Sequence, residues 1–339
     1  MKKEVIFCTA SPTDSYFIWQ NHLYIESCLE QGFKEEQIHI LLYNPKGRIY
    51  NTKWDELKTI YPKLNIFVYE DDGVQHLLST YIPILRPHIL WQHFTKFPEL
   101  EDKTIIYTDS DILWTKELNI EHLIDDDINY VSDANSYLNY TYLQSKYKDV
   151  LSYKEEEANK RDFAKELSTI VGIDIQTIID NNFNTGGVQY ILKNISADFW
   201  KKVEKDVISI RTHLQSINRE FFESEDKGYQ SWCADLWAVQ YNLWYYNKQS
   251  KVVPELNFAW STDPIIKLDT TPILHNAGIV SENGNGYPAF YKGKYHLGLD
   301  PTKDAHLDVV LNNERSKKFC TWYYANKLNQ LKEKYKLNY

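Results

Sequence analysis

The sequence predicts an α/β fold of the Rossmann-like kind, a mostly parallel sheet flanked by helices, with a helical insertion and a C-terminal helix. Two observations carry this. Short apolar, β-branched runs alternate with helical patterns at intervals of a few tens of residues, the signature of strands joined by helical crossovers. The 339 residues are also 43% hydrophobic, enough to bury a large core.

The elements follow in order. Val5–Thr9 is an apolar strand that runs into a polar loop, Ser11-Pro12-Thr13-Asp14. A helical pattern over Tyr16–Gln31 ends at Gly32, a usual helix stop. Ile38–Tyr43 is a second strand, Trp54–Tyr61 a helix closed by Pro62, and Ile66–Tyr69 a third strand. Residues 76–97 read as helix with a break at Pro83 and Pro87. Ile105–Thr108 is the fourth strand. Residues 141–180 are a charged helical insertion, Phe183–Leu192 a strand, and 194–222 and 228–248 helices. Residues 270–300 are loop-rich, with four glycines from Gly278 to Gly293, Gly284 among them. The reading is one domain over 1–310, with a nucleotide-binding half (1–115) and a donor/acceptor half (180–300). A tail over 311–339 forms a helix in which Arg315, Lys317, Lys318, Lys327, Lys332, Lys334 and Lys336 interleave with aromatics.

Composition narrows the classes. Net charge is −9, which disfavours non-specific polyanion binding but leaves room for the local basic tail. Four scattered cysteines lack C-x-x-C spacing, so reduced thiols in a cytoplasmic protein are expected. Met1-Lys2-Lys3 gives a basic start, but the apolar run after it is too short for a signal peptide and reads as a strand. No run of about 18 apolar residues suggests a membrane span.

Four constellations carry chemistry. Thr108-Asp109-Ser110-Asp111 ends an apolar strand with two carboxylates one residue apart. Unpaired burial would be costly, whereas a shared divalent cation neutralises both and offers open positions to phosphate oxygens. Asn182-Phe183-Asn184-Thr185-Gly186-Gly187 opens the next strand. Its glycines permit close approach, and Asn184 can donate to and accept from sugar hydroxyls. Asp235 is an isolated carboxylate in the aromatic stretch Trp232-Cys233-Ala234-Asp235-Leu236-Trp237. It is either merely solvated or set to bind or deprotonate an acceptor hydroxyl. His275, ending an apolar strand before Asn276-Ala277-Gly278, would complete a ligand set with Asp109 and Asp111, and imidazole suits manganese. Lys292 or Lys294 could then face a leaving diphosphate. Arg86, in Leu85-Arg86-Pro87, could pair with the diphosphate or with the aspartates.

Together these blocks resemble metal-dependent glycosyltransferases of the GT-A fold. Within that superfamily they are most similar to the hydroxyproline O-arabinosyltransferase and peptidyl-serine galactosyltransferase group. The residues are Trp19-Gln20, Tyr107–Asp111, Phe183–Gly186, Trp232-x-x-Asp235-Leu236-Trp237-Ala238 and His275–Ile279, over about residues 4–300. The group has glutamate before a Met-Trp-Ala where this chain has Asp235, and its members carry a secretory anchor that this sequence does not display. The resemblance implies a UDP-sugar donor, of arabinose or a hexose such as galactose, with Mn2+ or Mg2+. Asp109, Asp111 and His275 would hold the metal. Thr9, Ala10, Ser11, Asp14, Arg86, Ser110, Thr185, Gly186 and Gly278 would line the donor alongside Asn184 and the lysines. Asp235 and Asn184 would serve the transfer.

The acceptor is expected to be a glycan or lipid-linked sugar, or a hydroxymethylated DNA base of the phage type, with the basic tail on a membrane or on phosphates. Two other classes compete. A non-catalytic carbohydrate-binding protein could keep this fold. A nucleotidyltransferase would need a glycine-rich basic loop after the first strand, which Thr9–Asp14 lacks.

Overall fold

A computed structural model describes residues 4–223, 227–283, 286–335 and 339; Met1-Lys2-Lys3, Gly284 and Lys336, singled out above, lie outside the described residues. The strands are β1 (Val5–Pro12), β2 (Ile38–Pro45), β3 (Asn65–Asp71), β4 (Thr104–Tyr107), β5 (Ile112–Trp114), β6 (Asn129–Asp133), β7 (Gly186–Lys193), β8 (Ser250–Val252), β9 (Phe258–Trp260) and β10 (Ile273–His275). The fold is the α/β class the sequence predicts, a mainly parallel sheet flanked by helices. The exception is β7, antiparallel to both β4 and β6. No helix among the described residues is long and apolar enough to cross a membrane.

The chain divides into two compact units, each drawn from separate stretches. One comprises Ile6–Glu70, Thr108–Ile120 and Pro254–Tyr339 and is called here the Asp109 unit. Its strands lie in the order β3-β2-β1, with β1 and β2 parallel in the register Cys8↔His39 through Pro12↔Tyr43. The strand β1 therefore runs past the expected Thr9 and takes in Ser11 and Pro12. Pairing with β2 outweighs the local turn preference of Ser-Pro, and proline is tolerated because it is the strand's last residue. A second sheet orders β5-β10-β9. The Ser15–Glu30 helix ends as expected, with Gly32 at φ +84°.

The C-terminal helix, Cys320–Tyr335, buries Tyr324, Leu328 and Leu331 in the same unit. Its cations are engaged there: Lys327 meets Glu30 at 2.7 Å and Lys334 meets Glu26 at 2.7 Å. Upstream of it, Lys317 meets Glu314 at 2.6 Å, and Arg315 lies 5.8 Å from the Tyr287 ring centroid.

The other, the Asp235 unit, comprises Asp71–Tyr107 and Glu121–Val253 with the first residues up to Val5. Its strands follow the order β4-β7-β6-β8. β6 and β8 are not legible as strands in the sequence because they are short and their register comes from neighbours. The helix over Leu85–Lys96 packs on Ala197–Phe221, which packs on Ala234–Tyr245. Pro87 does not break the first of these, since it lies in the opening turn, where a missing N–H costs nothing. The insertion is helical but broken into short pieces, such as Phe163–Val171, capped by Asp162 and stopped by Gly172 at φ +88°. β7 begins at Gly186, not Phe183. A side chain at 186 would put its Cβ 2.2 Å from Val131 Cγ2 and 2.3 Å from the Ser132 carbonyl, so glycine there is a requirement of strand packing.

Candidate functional site

In the Asp109 unit, Asp109 and Asp111 lie in the turn between the end of β4 and β5, which Thr108 N–H fixes by donating to the Cys8 carbonyl at 3.1 Å. The carboxylates thus stand beyond the carboxyl end of a strand, where open α/β sheets bind ligands. His275 arrives from far along the chain through the antiparallel β5–β10 register, Ile273↔Trp114 through His275↔Ile112. The next residue continues the pairing, with Asn276 N–H donating to the Asp111 carbonyl at 3.0 Å. Behind the imidazole, Trp260 of β9 stacks at 5.3 Å and 24°, fixing the ring plane.

The donor atoms of Asp109, Asp111 and His275 all lie within 4.8 Å of one another. His275 Nε2 is 3.4 Å from Asp111 Oδ1 and 3.9 Å from Asp109 Oδ2. The second oxygen of Asp111 faces Lys292 Nζ. Burial alone would raise the Asp111 carboxyl, but Lys292 and then His275 outweigh it and hold it well below the usual carboxylate range. Lys292 mirrors this: burial opposes its charge, Asp111 favours it, and the net shift is upward. Two hard carboxylates and one imidazole fit a divalent cation of the manganese or magnesium kind. His275 Nδ1 is buried with no partner among the described residues, so the ring's far side takes no protein hydrogen bond.

Lys294, equivalent to Lys292 in the sequence, is placed elsewhere. It meets Glu282 at 2.7 Å and Asp304 at 2.6 Å. Gly278 adopts φ +86°, a turn that favours glycine.

The N-terminal candidates belong to the same unit. Thr9 and Ser11 are buried on β1, Ala10 is half-buried, and Ser11 Oγ accepts from Asn21 Nδ2 at 3.1 Å. Asp14, which precedes the Ser15–Glu30 helix, does not cap it. Its carboxylate is taken by both terminal nitrogens of Arg48, at 2.5 and 3.3 Å. Thr13 Oγ1 donates to Asn44 at 2.9 Å, and Trp54 Nε1 donates to the Thr13 carbonyl at 3.0 Å. These ties hold the loops after β1 and β2 together. Arg48, Asn44 and Trp54 carried no signal in the sequence, because their partners lie 31 to 41 residues away.

In the Asp235 unit, Asp235 is 3% exposed and not a solvated carboxylate. The Arg86 guanidinium meets Asp235 at 3.2 Å. Arg86 also stacks over Tyr107, 4.9 Å from the ring centroid. Tyr81 Oη donates to the Trp232 carbonyl at 3.0 Å and accepts from Asp235 N–H at 3.1 Å. Trp232 lies in the turn Ser231–Cys233 ahead of the helix, exposed. Asn184 is half-buried in the turn before β7, and its N–H donates to the Asn181 carbonyl at 2.9 Å. Thr185 N–H donates to Asn135 Oδ1 at 3.2 Å, and Gly186 N–H to Gln240 Oε1 at 3.1 Å.

No family model and no curated protein matches the sequence. Among solved structures, the chain is similar to the bifunctional glycosyltransferase WbbM, at 12% identity over 82% of this chain, with a TM-score of 0.41. It spans about half of that protein's length, 46%. It is also similar to the galactosyltransferase LgtC in complex with donor and acceptor sugar analogs, at 11% identity over 97% of this chain and 95% of that one, TM-score 0.42. Mouse xyloside xylosyltransferase 1 matches at 8% identity over 80% of this chain and 97% of that one, TM-score 0.37.

Proposed function

We propose that the protein is a metal-dependent GT-A glycosyltransferase that moves a sugar, arabinose or a hexose, from a UDP-sugar to a hydroxyl of a glycan. The observation that carries this reading is the Asp109–Asp111–His275 group, with donor atoms within 4.8 Å at a strand's carboxyl end and the Lys292 ammonium on the same carboxylate. Asp109, Asp111 and His275 would hold Mn2+ or Mg2+, which when bound supplies positive charge to a departing diphosphate. Lys292 adds a second cation for the same phosphates. Thr9, Ala10, Ser11 and Asp14 would line the nucleoside, with Ser110 and Gly278 on the donor. Asp235, kept in place by Arg86 and Tyr81, would accept a hydrogen bond from the acceptor hydroxyl. A glycan is preferred to DNA as acceptor because the cations at Lys317, Lys327 and Lys334 are already paired within their own unit.

The test is UDP release from a panel of nucleotide sugars with manganese, alongside Mn2+ binding followed by electron paramagnetic resonance. Asp109→Ala with Asp111→Ala is expected to abolish turnover and weaken Mn2+ binding at least tenfold. Unchanged turnover in the double variant would sink the assignment.

A further inference from the structure

Of the ten tryptophans, all of them described, Trp232 is the only exposed one, at 57%. An indole left in water forgoes a large part of the stabilisation its burial would bring. It has defined neighbours on one side. The Tyr81 ring meets it edge-on at 5.5 Å and 82°, and the Tyr81 hydroxyl binds its carbonyl. The Arg211 guanidinium, 4.5 Å from the Tyr81 ring centroid, backs that ring in turn. The same Tyr81 oxygen accepts from Asp235 N–H, so one hydroxyl ties the backbone at the exposed tryptophan to the backbone at the buried aspartate three residues later.

We propose that Trp232 is a stacking platform for a neutral pyranose or furanose unit of the acceptor glycan. This rests on the transferase reading above and names the acceptor's class. The C–H face of a sugar ring packs on an indole face, while its hydroxyls need uncharged donors and acceptors nearby. Gln230, exposed, and Ser231, half-buried, supply an amide and a hydroxyl on the same turn. The run Gly228-Tyr229-Gln230-Ser231-Trp232-Cys233-Ala234 carries no charge. A stacked nucleobase would bring a phosphate backbone that calls for cations alongside the ring. No cation stands on that run, and the nearby Arg211 guanidinium is engaged with the Tyr81 ring and, at 3.2 Å, with the Thr80 carbonyl, which favours a sugar over a nucleic acid. Preorganisation by Tyr81 means that little ordering cost is left for the binding step.

The experiment uses the full chain labelled with fluorotryptophan, in which the Trp232 resonance is identified by its loss in Trp232→Phe. Lactose, cellobiose, chitobiose and methyl arabinofuranoside are titrated in turn, then a single strand bearing hydroxymethylcytosine. At least one saccharide is expected to shift the Trp232 resonance saturably, and Trp232→Ala is expected to weaken its binding about tenfold by calorimetry, the size of one aromatic contact. A Trp232 resonance that no saccharide moves, or that only the oligonucleotide moves, overturns the proposal. The observation is made on the unsubstituted protein, so it does not depend on a variant folding. UDP release on the same sample reports the transferase reading separately. Release with a silent Trp232 defeats the platform alone, and a responsive Trp232 without release defeats the transferase alone.

Discussion

At the scale of single residues, the two lysines of Tyr291-Lys292-Gly293-Lys294 show how placement separates identical chemistry. Lys292 lies on Asp111, a carboxylate only 5% exposed, whereas Lys294 is held between Glu282 and Asp304. Removing the Lys292 ammonium leaves the metal ligands one fewer competitor while taking a cation from the phosphates. Lys292→Ala is therefore expected to bind Mn2+ more tightly and UDP more weakly, by about tenfold or more for a lost charged hydrogen bond. Lys294→Ala is expected instead to cost stability, about 1 kcal/mol or less for partly exposed bridges, seen in the melting temperature. Calorimetry with Mn2+ and then UDP separates the two; weaker Mn2+ binding by Lys292→Ala would contradict the geometry.

At the scale of elements, His88 ties Asp71 to the helices Leu85–Lys96 and Ala197–Phe221. Its Nε2 meets Asp71 at 2.9 Å and its Nδ1 meets Glu204 at 3.1 Å, with the side chain 4% exposed. Burial opposes the imidazolium, Glu204 and Asp71 favour it, and the result is a pKa above the ordinary 6.5. For Asp71, burial acts upward, but the Gly73 N–H and His88 leave it below the ordinary 3.8. A raised histidine contributes stability that is complete below 6.5 and is lost as pH climbs through the folded value. A depressed aspartate contributes above 3.8 and loses its share as pH falls through the folded value. The cluster therefore stabilises most between those limits. Urea denaturation of the wild type and His88→Gln should differ most near about pH 5 to 6 and least near about pH 9. A difference that grows with pH would show that His88 is buried neutral.

At the scale of the whole molecule, the transferase reading predicts linkage between ligand and global stability. A site that binds only the folded chain adds about 2.7 kcal/mol at roughly 100 times Kd. Mn2+ with UDP at that excess should raise the melting temperature by a few degrees, and Asp111→Asn should remove the rise. No shift in the wild type would leave the site without its ligand. The net charge of −9, with Lys317, Lys327 and Lys334 of the tail already paired, also fits an acceptor other than a polyanion.

What the sequence by itself determined is the α/β class, most strand and helix positions, and the residue types of the candidate site. Each of these follows from local periodicity: apolar alternation builds β1 and β4, and a carboxylate pair ending a buried run needs a counter-charge. Asp109, Asp111 and His275 were legible for that reason. The partners were decided by tertiary structure alone. The β5–β10 register brings His275 to Asp111, Asp235 meets Arg86 across 149 residues, given by 235 minus 86, and Lys292 is divided from Lys294 by the carboxylates around it. The short strands β6, β8 and β9 were hidden too, because their extended form comes from neighbours and not from their own residues. Spacing along the chain determines which groups share a face, but only packing determines which charge meets which.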